Sequence, residues 1–191
     1  MRRSNKDRSE AMRTGLIEAA RELFVEKGFA DTATPEIVEA AGVTRGALYH
    51  HFEDKKALFL AVAEKEAHAV ADEIEARSAP AEDALTAILS GTSAFFDAMA
   101  VSGRTRILLL DGPAILGLET MRQLDGEHAR SNLRAGLAAL LEGKEAAFRL
   151  EPLTEMLSAA FDRAALEIEA GAERAGYEQA ISAMIMAMAG P

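Results

Sequence analysis

The chain has 191 residues, of which 49% are hydrophobic, and this content argues against a disordered chain. The absence of cysteine excludes a disulfide framework and a thiolate metal site. Residues 1–60 hold 10 basic and 10 acidic side chains, so the rest of the chain carries all of the net charge of −10. An acidic remainder repels a polyanion, and any contact with nucleic acid is therefore expected in the N-terminal part.

The same sequence argues against a membrane protein. Its N-terminus is charged, and its longest apolar-looking run, residues 107–118, is interrupted by Asp111, Gly112 and Pro113. That run is shorter than the roughly 20 apolar residues of a membrane-spanning helix. We therefore expect neither a secretory signal nor a membrane span, which fits a cytoplasmic protein.

Residues 1–8 form a basic leader that we expect to be flexible in the free protein. Its basic side chains are Arg2, Arg3, Lys6 and Arg8. A first helix is predicted from about Arg8 to Lys27, because apolar residues recur along one stripe and Gly28 follows the end of that stripe. The stripe consists of Met12, Leu16, Ala19, Ala20, Leu23 and Phe24.

A helix-turn-helix is predicted over residues 33–52. Thr34 is a suitable N-cap and Pro35 suits the first turn, so the first of the two helices should run from Pro35 to Ala41. Its inward side chains are expected to be Ile37, Val38 and Ala41. Gly42 follows, at the position where a helix end favours a left-handed residue.

The second helix of this motif should begin after Thr44, which can cap it. Val43 precedes the cap and is placed to pack on Leu48, a contact that fixes the angle at which the chain enters the helix. Because Leu48 and Phe52 are four residues apart, both can turn inward on one face. The opposite face then consists of Arg45, Gly46, Tyr49 and His50.

The side chains of this outward face suit DNA. A guanidinium can pair bidentately with guanine in the major groove, and hydroxyl and imidazole groups can reach phosphates or base edges. Gly46 would let the backbone approach closely. A solvated helix face is the alternative for each side chain alone, but two capped short helices joined by a three-residue turn favour the DNA interpretation.

The stretch from Leu16 to Phe59, LIEAARELFVEKGFADTATPEIVEAAGVTRGALYHHFEDKKALF, resembles the TetR-type transcriptional regulators. The resemblance implies DNA contacts, of which those of Arg45 and His50 would set specificity and the others would mostly hold phosphate. The implied positions are Thr34, Thr44, Arg45, Gly46, Tyr49, His50, His51 and Lys55. Many relatives have Ala where Val38 stands and Thr where Ala47 stands, and neither departure changes the outward face decisively.

The predicted fold is all-α, with a DNA-binding domain over residues 9–70 and a helical effector-binding and dimerisation domain over residues 71–191. Asp54 should cap the helix that joins the two domains. The helices beyond the motif are predicted at residues 54–77, 82–100, 104–110, 115–142, 153–175 and 177–189. No alternation typical of strands competes with this interpretation.

The last two predicted helices each carry a wide apolar stripe. The resemblance implies that they pair with their copies in a four-helix dimer interface, and their alanines would allow close approach. The core of a monomer is the alternative. The candidate interface residues are Leu153, Met156, Leu157, Phe161, Ala164, Ile168, Ile181, Met184, Ile185 and Met188.

The middle helices are expected, again by resemblance, to enclose a pocket for an unknown small-molecule effector. The candidate lining residues are Phe95, Phe96, Met99, Leu109, Met121, Leu124, His128 and Phe161. Methionines suit an adaptable apolar cavity, and His128, with Arg122 and Arg130 nearby, could meet a polar or acidic ligand end. The alternative for the apolar residues is that they form plain core. The alternative for His128, Arg122 and Arg130 is a solvated helix face.

The sequence therefore predicts a dimeric, ligand-responsive DNA-binding regulator that needs no cofactor. We expect a repressor, because most proteins of the family it resembles are repressors. An enzyme is the rival class, but no glycine-rich phosphate loop, serine elbow or repeated Glu-x-x-His motif is found. A helical adaptor that has lost DNA binding is the other alternative. The intact outward face, with Arg45, Tyr49 and Lys55, argues against the adaptor.

Overall fold

The computed structural model describes residues 5–79, 81–143 and 148–190. Those residues form ten α-helices and one π-helical turn, and no strand is found among them. The helices are α1 (Asn5–Lys27), α2 (Thr34–Ala40), α3 (Arg45–His51), α4 (Lys55–Ser78), α5 (Ala84–Met99), α6 (Gly112–Leu116), α7 (Leu118–Glu127), α8 (Ala129–Leu140), α9 (Leu150–Glu169) and α10 (Arg174–Ala189). The π-helical turn, Arg106–Asp111, leads directly into α6.

The first helix begins earlier than predicted. α1 starts at Asn5, so the second half of the leader is helical, while residues 1–4 lie outside the described part of the chain. Asp7 lies in the first turn, where an acidic side chain favours a helix N-terminus, and Lys6 pairs with Glu10 at 4.0 Å. These local interactions favour helix at residues 5–8.

The turn between α2 and α3 is fixed by two backbone hydrogen bonds. The Gly42 N–H donates to the Glu39 carbonyl (3.1 Å), and the Val43 N–H donates to the Val38 carbonyl (3.1 Å), which is the Schellman pattern. Gly42 has a φ of 63°, as the pattern requires and as the sequence predicts. The turn therefore sets the direction in which α3 leaves α2.

The start of α2 differs from the prediction by one residue. The helix begins at Thr34 and its N-cap is Ala33, whose N–H donates to the Glu36 carboxylate at 2.8 Å. A carboxylate three residues along the chain thus supplies the capping bond that we expected from the Thr34 hydroxyl. The other two predicted caps are confirmed: Thr44 accepts from the Ala47 N–H (3.2 Å) and Asp54 from the Ala57 N–H (2.7 Å).

The first three helices and the start of α4 share one core. Phe24, Phe29 and Phe59 pack with ring centres between 5.3 and 5.6 Å apart. Ile37 of α2 and Leu48 of α3 are fully buried in the same cluster. This core holds the short helices α2 and α3, whose hydrogen bonds alone would not keep them folded.

Helix α4 continues from this core into a bundle with α5, α8 and the last two helices. Its buried residues run from Leu58 to Ile74, so one helix packs against both parts of the molecule. No helix among the described residues is both long and apolar enough to cross a lipid bilayer.

Several predicted boundaries in this bundle were wrong, among them the break between the last two helices, which lies between Glu169 and Arg174 and not at residue 176. The helix predicted at residues 115–142 is two helices, because His128 has a non-helical φ of −126° and ψ of −111°. The break predicted at residues 111–113 is instead continuous π- and α-helix, in which Pro113 occupies the first turn of α6. α9 begins at Leu150, before the predicted break at Pro152, because proline is compatible with a first turn.

Candidate functional site

Helix α3 presents one face to solvent because its other face is anchored. Leu48 has no exposed surface and Phe52 is buried, whereas Arg45, Gly46, Tyr49 and His50 are exposed. This is the division of faces that the sequence predicts. Thr44, also exposed, uses its hydroxyl to cap the helix.

Arg45 and Tyr49 lie one turn apart and contact each other. The Arg45 guanidinium carbon is 5.5 Å from the centre of the Tyr49 ring, and 45% of Tyr49 is exposed. Such a contact favours an extended guanidinium beside the ring and restricts its rotamers. Two groups that can contact nucleic acid are therefore held together on the exposed face.

Gly46 opens a path to the backbone of α3. A β-carbon at this position would have only the Thr44 hydroxyl within 4 Å, at 3.9 Å. The fold therefore does not require glycine at position 46. The absence of a side chain leaves the first turn of α3 accessible from solvent.

His50 and His51 differ in their surroundings. Their rings are 5.2 Å apart, but His50 is exposed and His51 is half-buried beside Phe52. Burial, together with the nearby His50 and Arg13, lowers the pKa of His51 below its ordinary 6.5. Arg13 lies over the Phe52 ring at 5.2 Å, which brings an α1 cation that our sequence reasoning missed to the edge of this face.

Besides His51, two predicted DNA-contacting side chains are less exposed than the rest. Thr34 is half-buried at the first residue of α2. The Lys55 ammonium is turned inward: it donates to the carbonyls of Phe29 (2.6 Å) and Thr32 (2.8 Å), and lies 4.3 Å from the centre of the Phe29 ring. These contacts tie the start of α4 to the loop between α1 and α2.

A buried ion-pair network links α1, α4 and the segment after α5. Glu66 of α4 accepts from Arg21 Nε at 2.6 Å and from Arg104 Nε at 2.8 Å. Arg104 is buried, and also donates to Glu73 (3.0 Å) and to the Ala98 carbonyl (2.6 Å). The network therefore joins the helix-turn-helix unit to the bundle through ion pairs of Arg21 and Arg104 with Glu66.

Two cavities lie in the bundle, of 420 Å³ and 240 Å³, and share Phe95, Asp125, Ala129 and Asp162 as lining residues. Of the predicted pocket residues, Phe161 lines the larger cavity and Phe95 lines both. The smaller cavity is lined by Met99, Leu109, Met121, Leu124 and His128. Phe96 lines neither cavity, because its ring packs on Phe161 and under Arg174.

The sequence reasoning missed the two acidic residues of these cavities. It emphasised Arg122, His128 and Arg130, but Asp125 and Asp162 lie among them. Burial, and then the neighbouring Asp125, raises the pKa of Asp162 to about 7, and burial also raises the pKa of Asp125. A signal was present in the sequence, since Asp162 is an acidic residue next to the apolar stripe that contains Phe161 and Ala164.

The predicted dimer residues divide between two faces. Five of them, Leu157, Phe161, Ala164, Ile181 and Ile185, are buried within the single chain's own core. Leu153, Ile168 and Met188 are half-buried against the same core. Met156 and Met184 point outward, with 73% and 45% of their surface exposed.

The outward faces of α9 and α10 are lined by small and flexible apolar residues at helical spacing. The exposed or half-buried positions are Met156, Ala159, Ala160, Ala180, Ala183, Met184 and Ala187, which we call the outer stripe. Periodicity alone did not distinguish this stripe from the inward one. Among the described residues, no cluster of three or more His, Cys, Asp or Glu suitable for a metal ion is found.

Comparison with known proteins agrees with this architecture. Residues 16–62 match the model of the bacterial regulatory proteins of the tetR family, and residues 85–191 match the tetracyclin repressor-like C-terminal domain. The second match alone covers more than half of the chain.

Similar curated proteins match over part of the chain. The chain is 44% identical over 59 residues to the transcriptional regulator AcrR of Shigella flexneri, covering 31% of the chain and 27% of the relative. It is 38% identical over 68 residues to the repressor AcnR of Corynebacterium efficiens, covering 36% of each protein. It is 40% identical over 83 residues to TtgR of Pseudomonas putida, covering 44% of the chain and 39% of the relative. The chain thus spans only about a quarter to two fifths of these relatives.

Solved structures match along nearly the whole chain. A TetR-family regulator from Pectobacterium atrosepticum is 27% identical, with a TM-score of 0.72 and coverage of 97% of this chain and 95% of that one. A TetR-family regulator from Syntrophomonas wolfei is 12% identical, has a TM-score of 0.77, covers 94% of this chain and 95% of that one, and shares the fold. With both family models matched and the helix-turn-helix in place, the protein belongs to the tetR family of bacterial regulatory proteins.

Proposed function

We propose that the protein is a homodimeric repressor that binds a palindromic DNA operator through α3 and leaves it when a small molecule occupies the bundle. The observation that carries the DNA proposal is the outward face of α3. There Arg45, Gly46 and Tyr49 are exposed on a helix whose opposite side is fixed by the fully buried Leu48. A short, rigid, capped helix with an exposed guanidinium is suited to enter the major groove.

The side chains of this face divide by chemistry. Arg45 and His50 are the candidates for base edges, because both are exposed and can donate hydrogen bonds. Thr34, Thr44, Tyr49 and His51 are candidates for phosphate contacts, which position the protein without reading sequence. Lys55 belongs to the predicted phosphate group, but its contacts with Phe29 and Thr32 support a structural role.

Arg13 is a further candidate for the phosphate backbone. It is exposed on α1, beside the half-buried His51 and over the Phe52 ring. Phosphate contacts account for much of the affinity of such proteins, and each one adds to the dependence of affinity on salt. Negative charge in the rest of the chain makes these local cations the more important for binding.

Dimerisation would use the outer stripe of α9 and α10. The stripe is exposed in the single chain, apolar along much of its length and made of residues small enough for helices to pack closely. The buried residues Leu157, Phe161 and Ile185 would pack beneath the stripe and hold α9 and α10 in place. A dimer would favour DNA binding, because its two α3 helices can reach successive major grooves, about 34 Å apart along the DNA.

The bundle cavities are the candidate effector site, and α4 is the candidate transmitter. Ile74, Glu75 and Ser78, at the C-terminal end of α4, line the larger cavity, while Lys55, at its N-terminal end, contacts the loop before α2. A ligand that favours one tilt of α4 would shift the population towards a dimer whose α3 helices are wrongly spaced for DNA. The Glu66 network would carry that tilt to α1.

One relative supports the direction of the regulation. AcnR of Corynebacterium efficiens is described as a repressor, which supports repression here. We propose that the DNA-binding domain ends near residue 70, within α4, and that the effector-binding and dimerisation domain follows it. A cytoplasmic location fits a protein that binds chromosomal DNA.

The proposal is tested by selecting a randomised duplex library with the purified protein at physiological salt. A symmetric enriched motif, together with dimer-sized sedimentation at micromolar concentration, is the expected result. A monomer in solution would contradict the dimer, and the absence of any enriched motif would contradict sequence-specific binding and favour a helical adaptor.

A further inference from the structure

The two cavities share a pair of carboxylates, of which one has a cationic partner among the described residues and the other has none. Asp125 of α7 and Asp162 of α9 line both cavities. Asp125 accepts from the Ser158 hydroxyl at 3.4 Å and lies 3.6 Å from Arg130 Nε. Asp162 has no hydrogen bond or ion pair within the part of the chain that the structure describes, and its closest charged influence is Asp125.

The other charged groups of the cavities, in the described part of the chain, leave Asp162 without a cationic partner. Glu75 of α4 adds a third carboxylate to the larger cavity, where Arg130 is the one cation among the lining residues. Arg130 is already used, because it pairs with Asp125 and donates to the Arg122 carbonyl at 3.1 Å. Arg122 and His128 line the smaller cavity, with Arg122 exposed and the His128 ring packed on His68 at 5.3 Å.

The rest of the larger cavity is suited to an apolar body. Phe95 and Phe161 form an edge-to-face pair with ring centres 5.0 Å apart, and Ile74, Ile88 and Leu133 complete the apolar wall. A volume of 420 Å³ lies within the range of sites for drug-sized ligands, roughly 300–1,000 Å³. The aromatic faces would attract a cation as well as the hydrocarbon attached to it.

We propose that the effector is an organic cation, whose positively charged nitrogen lies against Asp162 and Asp125 and whose aromatic or aliphatic body fills the cavity beside Phe95 and Phe161. This inference rests on the proposed function, because it assigns a ligand class to the proposed effector site. A cation supplies the partner that Asp162 lacks, and it does so where low local polarity strengthens the attraction. A carboxylate ligand would add a fourth negative charge to the same space.

The test uses three probes that share a phenylbutyl body and differ in charge: 4-phenylbutyltrimethylammonium, 4-phenylbutanol and 4-phenylbutyrate. Their binding to the full chain is measured by titration calorimetry at pH 8, without DNA. We expect the ammonium probe to bind about tenfold tighter than the alcohol or more, and the carboxylate to bind weakest. The ammonium probe cannot lose its charge, so its affinity should rise from pH 6 to pH 8 as Asp162, whose pKa is raised to about 7, ionises.

Substitutions of the two carboxylates test which of them binds the ammonium group. Asp162→Asn and Asp125→Asn should each weaken the ammonium probe by about tenfold or more and leave the alcohol within about twofold. Unchanged binding of the alcohol shows that the cavity of each variant is still folded. Glu64→Gln removes the same charge from an exposed position on α4 and should change neither affinity.

Three results would overturn the inference: equal affinities for the three probes, a preference for the carboxylate, or no binding of any probe. If one of these results occurs while the protein still binds its selected duplex, the regulator proposal survives and the ligand class is wrong. If the duplex selection fails while the ammonium probe binds as described, the cation site survives and the DNA proposal is wrong.

Discussion

The Lys55 ammonium lies 4.3 Å from the centre of the Phe29 ring and donates to the Phe29 carbonyl at 2.6 Å. A second bond, to the Thr32 carbonyl, completes its connection to the loop between α1 and α2. Lys55 thus joins the start of the connecting helix to the loop that leads into the helix-turn-helix. Its position would transmit movement of α4 to α2 and α3, which is a different role from the phosphate contact that the resemblance implies.

Replacing Lys55 by Met should destabilise the fold. The change removes hydrogen bonds from a charged donor and a cation–π contact, which together stabilise by about 1–3 kcal/mol. Urea unfolding at pH 7 measures the loss. Lys56→Met, at the exposed neighbouring position, is the matched control and should stay within about 0.5 kcal/mol of the unchanged protein. Equal stability of the two variants would contradict the structural role of Lys55.

Gly46→Ala should separate folding from DNA binding. A β-carbon at position 46 meets only the Thr44 hydroxyl at 3.9 Å, so unfolding should require the same free energy as before or slightly more. The methyl group would stand between the α3 backbone and the DNA, and we expect affinity for the selected duplex to fall about tenfold or more.

Gly15→Ala is the control for this substitution. Gly15 lies within α1, and an added β-carbon there has nothing within 4 Å, so alanine should stabilise the helix by up to about 1 kcal/mol. DNA affinity, measured by fluorescence anisotropy, should not change. Full DNA affinity in Gly46→Ala would show that the backbone of α3 does not approach DNA closely.

Much of the helix-turn-helix could be predicted because its signals are local. Thr44 and Asp54 are adjacent to the helices they cap, and Gly42 lies where the Schellman turn requires a positive φ. Each of these features is fixed by residues within five positions of it. The off-by-one start of α2 has the same origin, since two neighbouring residues could cap and Glu36 decided between them.

Features set by packing between distant segments could not be predicted. The break at His128 has no glycine or proline at that residue, and the π-helical turn packs against α4 and α1, which are distant from it in the sequence. Likewise, α9 has two apolar stripes, and periodicity does not say which of them faces the chain's own core. The structure assigns Leu157 and Phe161 to the core and leaves Met156 outside.

The Glu66 network should contribute stability that depends on pH. Burial acts to raise the pKa of Glu66, but hydrogen bonds from Arg21 and Arg104 outweigh it and the net pKa is lowered below 4.5. The stabilisation is therefore present above the unfolded-state pKa and is lost as pH falls through the folded-state value. Glu66→Gln should cost about 3 kcal/mol at pH 7 and progressively less below pH 4.5.

Urea unfolding at pH 7 and at acidic pH checks this difference. Glu64→Gln, an exposed change two residues earlier in α4, should have little effect at either pH. A deficit in Glu66→Gln that is the same at both pH values would mean that lost packing, and not lost ion pairing, destabilises the variant.

A charge placed in the outer stripe should dissociate the proposed dimer. Met184 is 45% exposed in the single chain, and Met184→Glu would bury a carboxylate between two copies at a cost of several kcal/mol. Sedimentation velocity at micromolar concentration should show a folded monomer. Met12→Glu makes the same change at a 37% exposed position on α1 and should leave the dimer intact. A Met184→Glu protein that sediments as a dimer would place the interface elsewhere.

The most direct test of the account compares library selections by the unchanged protein and by Arg45→Ala at the same salt concentration. If α3 reads DNA, the unchanged protein enriches a palindrome, and Arg45→Ala loses the preference at one base pair in each half-site, with a loss of about 1–3 kcal/mol in affinity for the original motif. The rest of the motif should remain, because the phosphate contacts and the dimer are unaltered. Enrichment by Arg45→Ala of the same motif with undiminished preference at every position would contradict the claim that this face of α3 reads the sequence.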